Sequence, residues 1–311
     1  MNNSKPDTAW LINVAHAAAV PLSILGLLAN IYMFYILLSD KIFFKTSYYL
    51  VRVCVISDII SNVTSVISYS ISITGNISFN LGNMLCKMSV FTILFSYGIS
   101  ILTISLVSAD RYMAIMRPLS QFYRVHKIRV LVLTEMIICC VAILVAIPSL
   151  FIATVYPSDV KLCDIPSVTQ LVAFYFVTAA VVFYFIPGIV LIVCYSRIII
   201  YMRGHVQPGE SFQEQLQQLR LQKKKYTKAF ITIASVSLLV TWPFWVSSIA
   251  LAISQKSLLD VKKTSDILYA LIFVSFATTT AISVVNPLLY LRFDGNIREK
   301  SGAILRKFRS L

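Results

Sequence analysis

Ionisable side chains are scarce inside the long apolar stretches of this sequence, so each one found there is a candidate for chemistry. Two clusters close such stretches, Asp110-Arg111-Tyr112 and Asn286-Pro287-Leu288-Leu289-Tyr290. A guanidinium keeps its proton and at a membrane boundary must be paired or hydrated, which makes adjacent Asp110 the expected resting partner of Arg111. Away from the ends of the stretches the acids are Asp58 and Glu135. A carboxyl group near mid-membrane has to be neutral, hydrogen-bonded or matched by a cation. The chemistry on offer is charge pairing and the holding of a proton or cation. Bond cleavage is poorly served: His16, His126 and His205 lie far apart, and the six cysteines form no CxxC pair or other metal-ligand spacing. That argues against a zinc site and against a membrane-embedded metallohydrolase.

The apolar stretches must position these groups. Of 311 residues, 58% are apolar and 13% charged, the charged share being about half that of a typical soluble chain. Mean hydropathy is +0.80. With 9 glycines and 10 prolines, neither a collagen-like nor a low-complexity protein fits. A helix needs roughly 20 apolar residues to cross a bilayer. Seven such runs are present, from Trp10 to Leu38, Ser47 to Ile71, Leu85 to Met116, Ile128 to Thr154, Thr169 to Met202, Ala229 to Ile253 and Ser265 to Leu291. The joints are too short for a separate domain, and neither internal repeats nor paired halves with interrupted helices stand out. The predicted fold is an all-α membrane protein, a seven-transmembrane helix bundle forming a single domain over 1–311. Residues 1–9 form a tail, and 292–311 form an amphipathic helix and tail, with Phe293, Ile297, Ile304 and Phe308 at helical spacing among basic residues.

A net charge of +14 would suggest nucleic acid in a soluble protein, but here the charges sort by membrane side. If the first residues lie outside, Lys5, Lys87, Lys161, Lys256, Lys262 and Lys263 are outer, and the other 21 of the 27 Lys and Arg are inner. The positive-inside rule then predicts an extracellular N-terminus, a cytoplasmic C-terminus and attraction of the inner clusters to anionic membrane lipid, with no nucleic-acid partner. No cleavable signal peptide is expected, because the tail lacks a basic n-region and the first span is too long for an h-region. Asn2 and Asn76 head sequons on the outer side and are glycosylation candidates, whereas the sequon at Asn62 lies within a span.

The Asp110-Arg111-Tyr112 triplet, followed by Pro118-Leu119, and the Asn286-Pro287 motif each stand at the inner end of the appropriate span. Together they resemble the rhodopsin-like (class A) G-protein-coupled receptors. The resemblance covers all seven spans, through Asn30, Asp58, Cys86 at the outer start of the third, Pro148, Pro187 with Tyr195, and Pro243. It implies a plasma-membrane receptor, not an enzyme, that binds an extracellular ligand and activates a heterotrimeric G protein, with arrestin as a further partner. By the same resemblance, activation swings the sixth helix outward while Arg111 reaches toward Tyr195 and a G-protein helix and Tyr290 turns inward. Tyr112, Asn286 and Pro287 belong to that switch, and Leu119 is an apolar contact to the G protein or to lipid. Pro187, Pro243 and Pro287 each remove a helix hydrogen bond, either to permit a bend or only to shape the bundle.

Cys86 and Cys163 are the cysteines that this topology places outside, in an oxidising compartment, and they are expected to pair and hold the second outer loop over the pocket. Cys54, Cys139, Cys140 and Cys194 fall in spans and read as packing. Asn30, Asp58, Ser100, Ser283 and Asn286 occupy the places where similar receptors build a sodium pocket. Asp58 is therefore either a sodium ligand or a neutral hydrogen-bonded acid, and Ile282 replaces a polar neighbour common there. No other cofactor is implied.

Some positions depart from the family pattern. Residues Gln222 to Thr227 lack the acid that often restrains the arginine from the sixth helix, so raised basal activity is expected. Thr241 stands in the usual tryptophan place while Trp242 directly precedes Pro243, so that Phe244 or Trp245 takes over the aromatic switch or serves only as core. The fourth span has no tryptophan. Helical spacing points Ile93, Leu94, Tyr97, Phe183, Phe244, Trp245, Ser248, Ile272, Phe276 and Thr280 into the outer cavity. Ile93 stands where an amine receptor would carry aspartate, and Thr280 where an opsin would carry its retinal lysine. The run from Ser108 to Leu119 is most similar to neuropeptide receptors. A peptide ligand is expected, with a small apolar, lipid-like or chemosensory ligand as the alternative. A transporter or channel, the rival from another class, would need a polar path, for which Asp58 and Glu135 are the only intramembrane acids.

Overall fold

The computed structural model describes residues 9–44, 46–74, 77–116, 121–204 and 213–309. Asn2, Asn76 and Leu119 lie outside the described residues. Seven segments are long and apolar enough to cross a membrane, matching the seven expected runs. They are carried by α1 (Ala9–Leu38), α2 (Thr46–Thr74), α3 (Phe79–Met116), α4 (Gln121–Ala146) with the short α5 (Ser149–Ile152), α6 (Gln170–Ala180) with α7 (Ile186–Gly204), α8 (Gln213–Ser254) and α10 (Asp266–Phe293).

Large apolar side chains such as Leu25, Leu144, Phe174 and Ile253 face outward, as expected where the solvent is hydrocarbon. Small and polar residues collect inside. α3 runs through the middle of the bundle against α2, α4, α7 and α8, and Ser96, Gly98, Ser100, Thr103, Ser105 and Ser108 line its buried faces. Small side chains let helices approach closely when water supplies no driving force between them. Gly98 is one such approach: a Cβ there would stand 2.6 Å from Phe183 Cζ.

Prolines shape three spans. Pro148 ends α4, and the chain turns through α5 into the hairpin of β1 (Thr154–Tyr156) and β2 (Asp159–Asp164). These strands pair antiparallel, Val155 opposite Cys163, with an irregularity between Val155 and Tyr156. The expected fourth span reached Thr154, and the turn at Pro148 shortens its helix. A five-residue π turn, Val181–Phe185, joins α6 to α7 just before Pro187, and the proline leaves the Phe183 carbonyl without its helical donor. Pro287 does the same to the Ser283 carbonyl, and Asn30 Nδ2 on α1 donates to that oxygen at 2.7 Å.

One further difference lies at the hairpin end. The last joint on the hairpin side, expected to be loop, contains α9 (Leu258–Thr264), started by a capping box between Ser257 and Asp260. At the opposite end α11 (Gly295–Arg309) follows α10 and turns Ile297 and Ile304 toward the bundle. Tyr32 shares a 2.9 Å hydrogen bond with Ser301, and Lys300 pairs with Asp40 at 2.9 Å. Residues from Gln213 extend the sixth span as one continuous helix.

Replacing Asn30 by Ala should leave the Ser283 carbonyl with only the long 3.5 Å contact from Asn62 Nδ2 and cost about 1–3 kcal/mol, measured as a lower unfolding midpoint in detergent. Gly98→Ala should cost a similar amount, about 1–3 kcal/mol, through overpacking against Phe183.

Candidate functional site

The polar residues of the bundle gather at three levels. At the hairpin end lies a cavity of about 840 Å³. Of the residues expected to line it, Ile93, Leu94, Phe244, Trp245, Ser248 and Phe276 do so. Tyr97, Phe183, Ile272 and Thr280 do not. Tyr97 and Phe183 lie beneath Trp245 in the core. Ile272 packs with Leu251, Leu258 and Tyr269, and Thr280 is turned onto the Ala277 carbonyl while Thr279 lines the wall.

The shift of tryptophan in α8 has a simple helical explanation. Thr241, Phe244, Trp245 and Ser248 fall on one face, and Trp242 is turned about 100° away from Thr241. Trp245 is accordingly 2% exposed and Trp242 50%. Of the two aromatics expected to stand in for the displaced tryptophan, Trp245 is the deeper. Its ring meets Phe244 edge-on at 4.8 Å, and its Nε1 donates to Tyr97 Oη at 3.2 Å. The Tyr97 proton has two acceptors in reach, the Phe183 carbonyl freed by Pro187 at 3.4 Å and Thr241 Oγ1 at 3.2 Å. The cavity floor therefore ties α3, the fifth span and α8 together.

The cavity rim is charged. Asp159, Lys161, Asp164, Lys256, Lys262 and Asp266 all border it. Cys86 and Cys163 form a disulfide that fixes β2 to α3. The neighbouring Asp164 was not singled out by the sequence reading, yet it is the centre of the rim. Its carboxylate accepts from Ile165 N at 2.7 Å, Tyr156 Oη at 2.7 Å, and Leu258 N and Leu259 N, each at 3.0 Å. The last two are free donors in the first turn of α9, where an anion is favoured. Burial, together with the hydrogen bond to Asp164, pushes the Tyr156 phenol above its ordinary range. Lys262 adds a looser contact to Asp159 at 3.5 Å.

At mid-bundle, Asp58 Oδ1 accepts from Ser100 at 3.2 Å and Oδ2 from Asn286 Nδ2 at 2.9 Å. Asn30 reaches this level through the Ser283 carbonyl, while the Ser283 hydroxyl points to the Thr280 carbonyl at 2.7 Å. The five residues are thus brought together as expected, but with both carboxylate oxygens engaged by internal donors. Glu135 lies apart, accepting from Thr103 at 2.7 Å between α3 and α4.

At the end away from the cavity, the Arg111 charge favours the ionised Asp294 carboxyl. Tyr195 and Tyr290 are both buried in the same apolar core. The Tyr195 hydroxyl is buried without a hydrogen-bond partner, and Tyr112 packs against the core. Two neighbours were not foreseen. Lys127 of α4 places Nζ 2.6 Å from Asp110 Oδ1. Asp294 caps α11, accepting from Asn296 N at 3.0 Å and Ile297 N at 3.1 Å, with Tyr48 beside it at 3.3 Å. Burial raises the Asp294 carboxyl above its ordinary value, opposed by the Ile297 N–H, Tyr48, the Asn296 N–H and the Arg111 charge. An Asp before Gly295-Asn296 and an apolar row is a helix-start signal that could have found it.

A cavity at one end, a polar middle and an arginine with two tyrosines at the other match a known plan. Residues 29–290 fit the family described as 7 transmembrane receptor (rhodopsin family). The chain belongs to that family. This class A G-protein-coupled receptor is therefore a multi-pass membrane protein of a family of signalling receptors, which are not enzymes.

If the Asp164 clasp holds the receptor's rim closed, Asp164→Ala should speed modification of Ser248→Cys by a charged, membrane-impermeant thiol reagent about tenfold, as loss of about 1.4 kcal/mol of closure would do. An unchanged rate would show that the rim is open already.

Proposed function

We propose that this receptor binds an extracellular peptide in the hairpin-end cavity and activates a heterotrimeric G protein through Arg111. The observation that carries the ligand class is the division of the cavity. Its floor is apolar and aromatic at Ile93, Leu94, Phe244, Trp245 and Phe276, while its rim holds both signs of charge. An apolar side chain can fill the floor as the polar backbone and charged groups of a peptide meet the rim. The uncharged floor favours a second reading, a small apolar or lipid-like ligand seated below the rim. The extracellular N-terminus follows from the positive-inside distribution of Lys and Arg.

The coupling reading is supported by the position of Arg111 at the end of α3 opposite the cavity, where its charge is felt by Asp294. A ligand that presses on Trp245 moves α8 above Pro243, where the helix has lost a hydrogen bond and bends easily. The opposite end of α8 then opens, and Arg111 becomes the contact for the G protein, with arrestin competing for the same end. Asp58 and Ser100 have the oxygens a sodium ion would use, with Ser283 contributing after a rotamer change that breaks its bond to Thr280. A bound sodium would supply positive charge to Asp58 and favour the closed form.

Cells expressing the receptor, with sensors for each G-protein class, are to be screened against peptides and apolar metabolites. A peptide response that Arg111→Ala abolishes at equal surface expression is the expected result; intact signalling by that variant overturns the coupling reading. Sodium should reduce basal output in the wild type and have no effect on Asp58→Asn, whereas indifference of both to sodium would remove the ion.

A further inference from the structure

Asp110, the resting partner expected for Arg111, takes an ion pair from another helix. Lys127 lies near the start of α4, and its ammonium stands 2.6 Å from Asp110 Oδ1. The Asp110 side chain is 1% exposed and that of Lys127 29%. So buried a carboxylate is poorly screened by water, and the pair interacts more strongly than one on an open surface. Asp110 and Arg111 are consecutive on α3, about 100° apart around the helix. Lys127 thus reaches from α4 the acid that directly precedes Arg111 on α3.

We propose that Lys127 competes with Arg111 for the Asp110 carboxylate and so biases the resting bundle toward its G-protein-binding form. The inference rests on the coupling role given to Arg111 above and adds to it the residue that regulates that role. Two effects act in the same direction. Lys127 neutralises the acid that would otherwise restrain Arg111, and its own charge repels the guanidinium. Both lower the cost of Arg111 leaving α3's flank.

The other charged groups at this end do not reverse the balance. Asp294 feels the Arg111 charge, but its oxygens already accept from Asn296 N, Ile297 N and Tyr48. The α8 stretch Gln222-Lys223-Lys224-Lys225-Tyr226-Thr227 supplies no acid. Asp110 is the acid next to Arg111 in sequence, and its ion pair with Lys127 sets how much of its charge is left for the arginine.

The test uses the full-length receptor in lipid nanodiscs without ligand. One measurement is nucleotide exchange on each class of purified heterotrimer, and the other is amide hydrogen exchange over residues 221–235, which reports opening of the α8 end. Lys127→Gln should lower basal nucleotide exchange about three- to fivefold, the size expected of one partly exposed ion pair, and should slow amide exchange in the segment. Lys127→Arg keeps the cation and should retain at least half of the basal rate, which separates loss of charge from a folding defect. In an Asp110→Asn background, Lys127→Gln should have a clearly smaller effect than in the wild type, because the shared acid is gone and only the repulsion between the two cations is left to lose. Unchanged or increased opening in Lys127→Gln by amide exchange overturns the proposal, an increase meaning that the pair clamps the closed form. Nucleotide exchange that survives Arg111→Ala overturns the coupling reading instead. If amide exchange follows Lys127 as expected while no heterotrimer responds, charge sharing stands and G-protein coupling falls.

Discussion

Hydrocarbon offers no hydrogen bonds, so every polar group the helices free must be answered from within the protein. The prolines make this requirement acute. Pro287 strips a donor from the Ser283 carbonyl and Asn30 replaces it; Pro187 strips one from the Phe183 carbonyl, and Tyr97 reaches it. In each case the replacement comes from a different helix. Bends that would weaken isolated helices thereby become the joints that hold the bundle in register, and the residues that repair them belong to the polar middle and the cavity floor.

The same economy governs charge. Asp58 is answered by Ser100 and Asn286, Asp110 by Lys127, and Asp164 by four donors at the hairpin end. These three acids sit at three heights, each joining helices or loops distant in sequence. Through the Cys86–Cys163 bridge, Asp164 connects α3 to α9 and hence to the ends of α8 and α10. α3 consequently carries the reference frame for all three levels. Its many small buried residues, with Gly98 against Phe183, are what let it occupy that central place.

The seven spans, their order and the disulfide were legible because each rests on a local pattern: apolar length, charge at the borders, and the only two cysteines on one side. The assembly of Asn30, Asp58, Ser100 and Asn286 followed from motif positions. Periodicity alone misjudged Tyr97, Phe183, Ile272 and Thr280, since it reports which helical face turns inward but not whether that depth is cavity or core. Lys127 and Asp164 were invisible for another reason. Lys127 was one cation among 21 on its side, and Asp164 had no motif. Their roles depend on partners 17 and 94 positions away, respectively. The short strands and α9 escaped notice because they lie in joints whose structure comes from tertiary contacts.

The displaced tryptophan has a geometric consequence. Four residues along a helix correspond to about 6 Å of rise, and Trp245 stands that far along α8 from Thr241, toward the hairpin. With Tyr97 and Phe183 sealed beneath it, the chamber bottoms out a full helical turn higher than it would with the aromatic at position 241. The residues above Trp245, on the walls and brim, therefore make up more of the chamber's lining than they would if the aromatic stood at position 241.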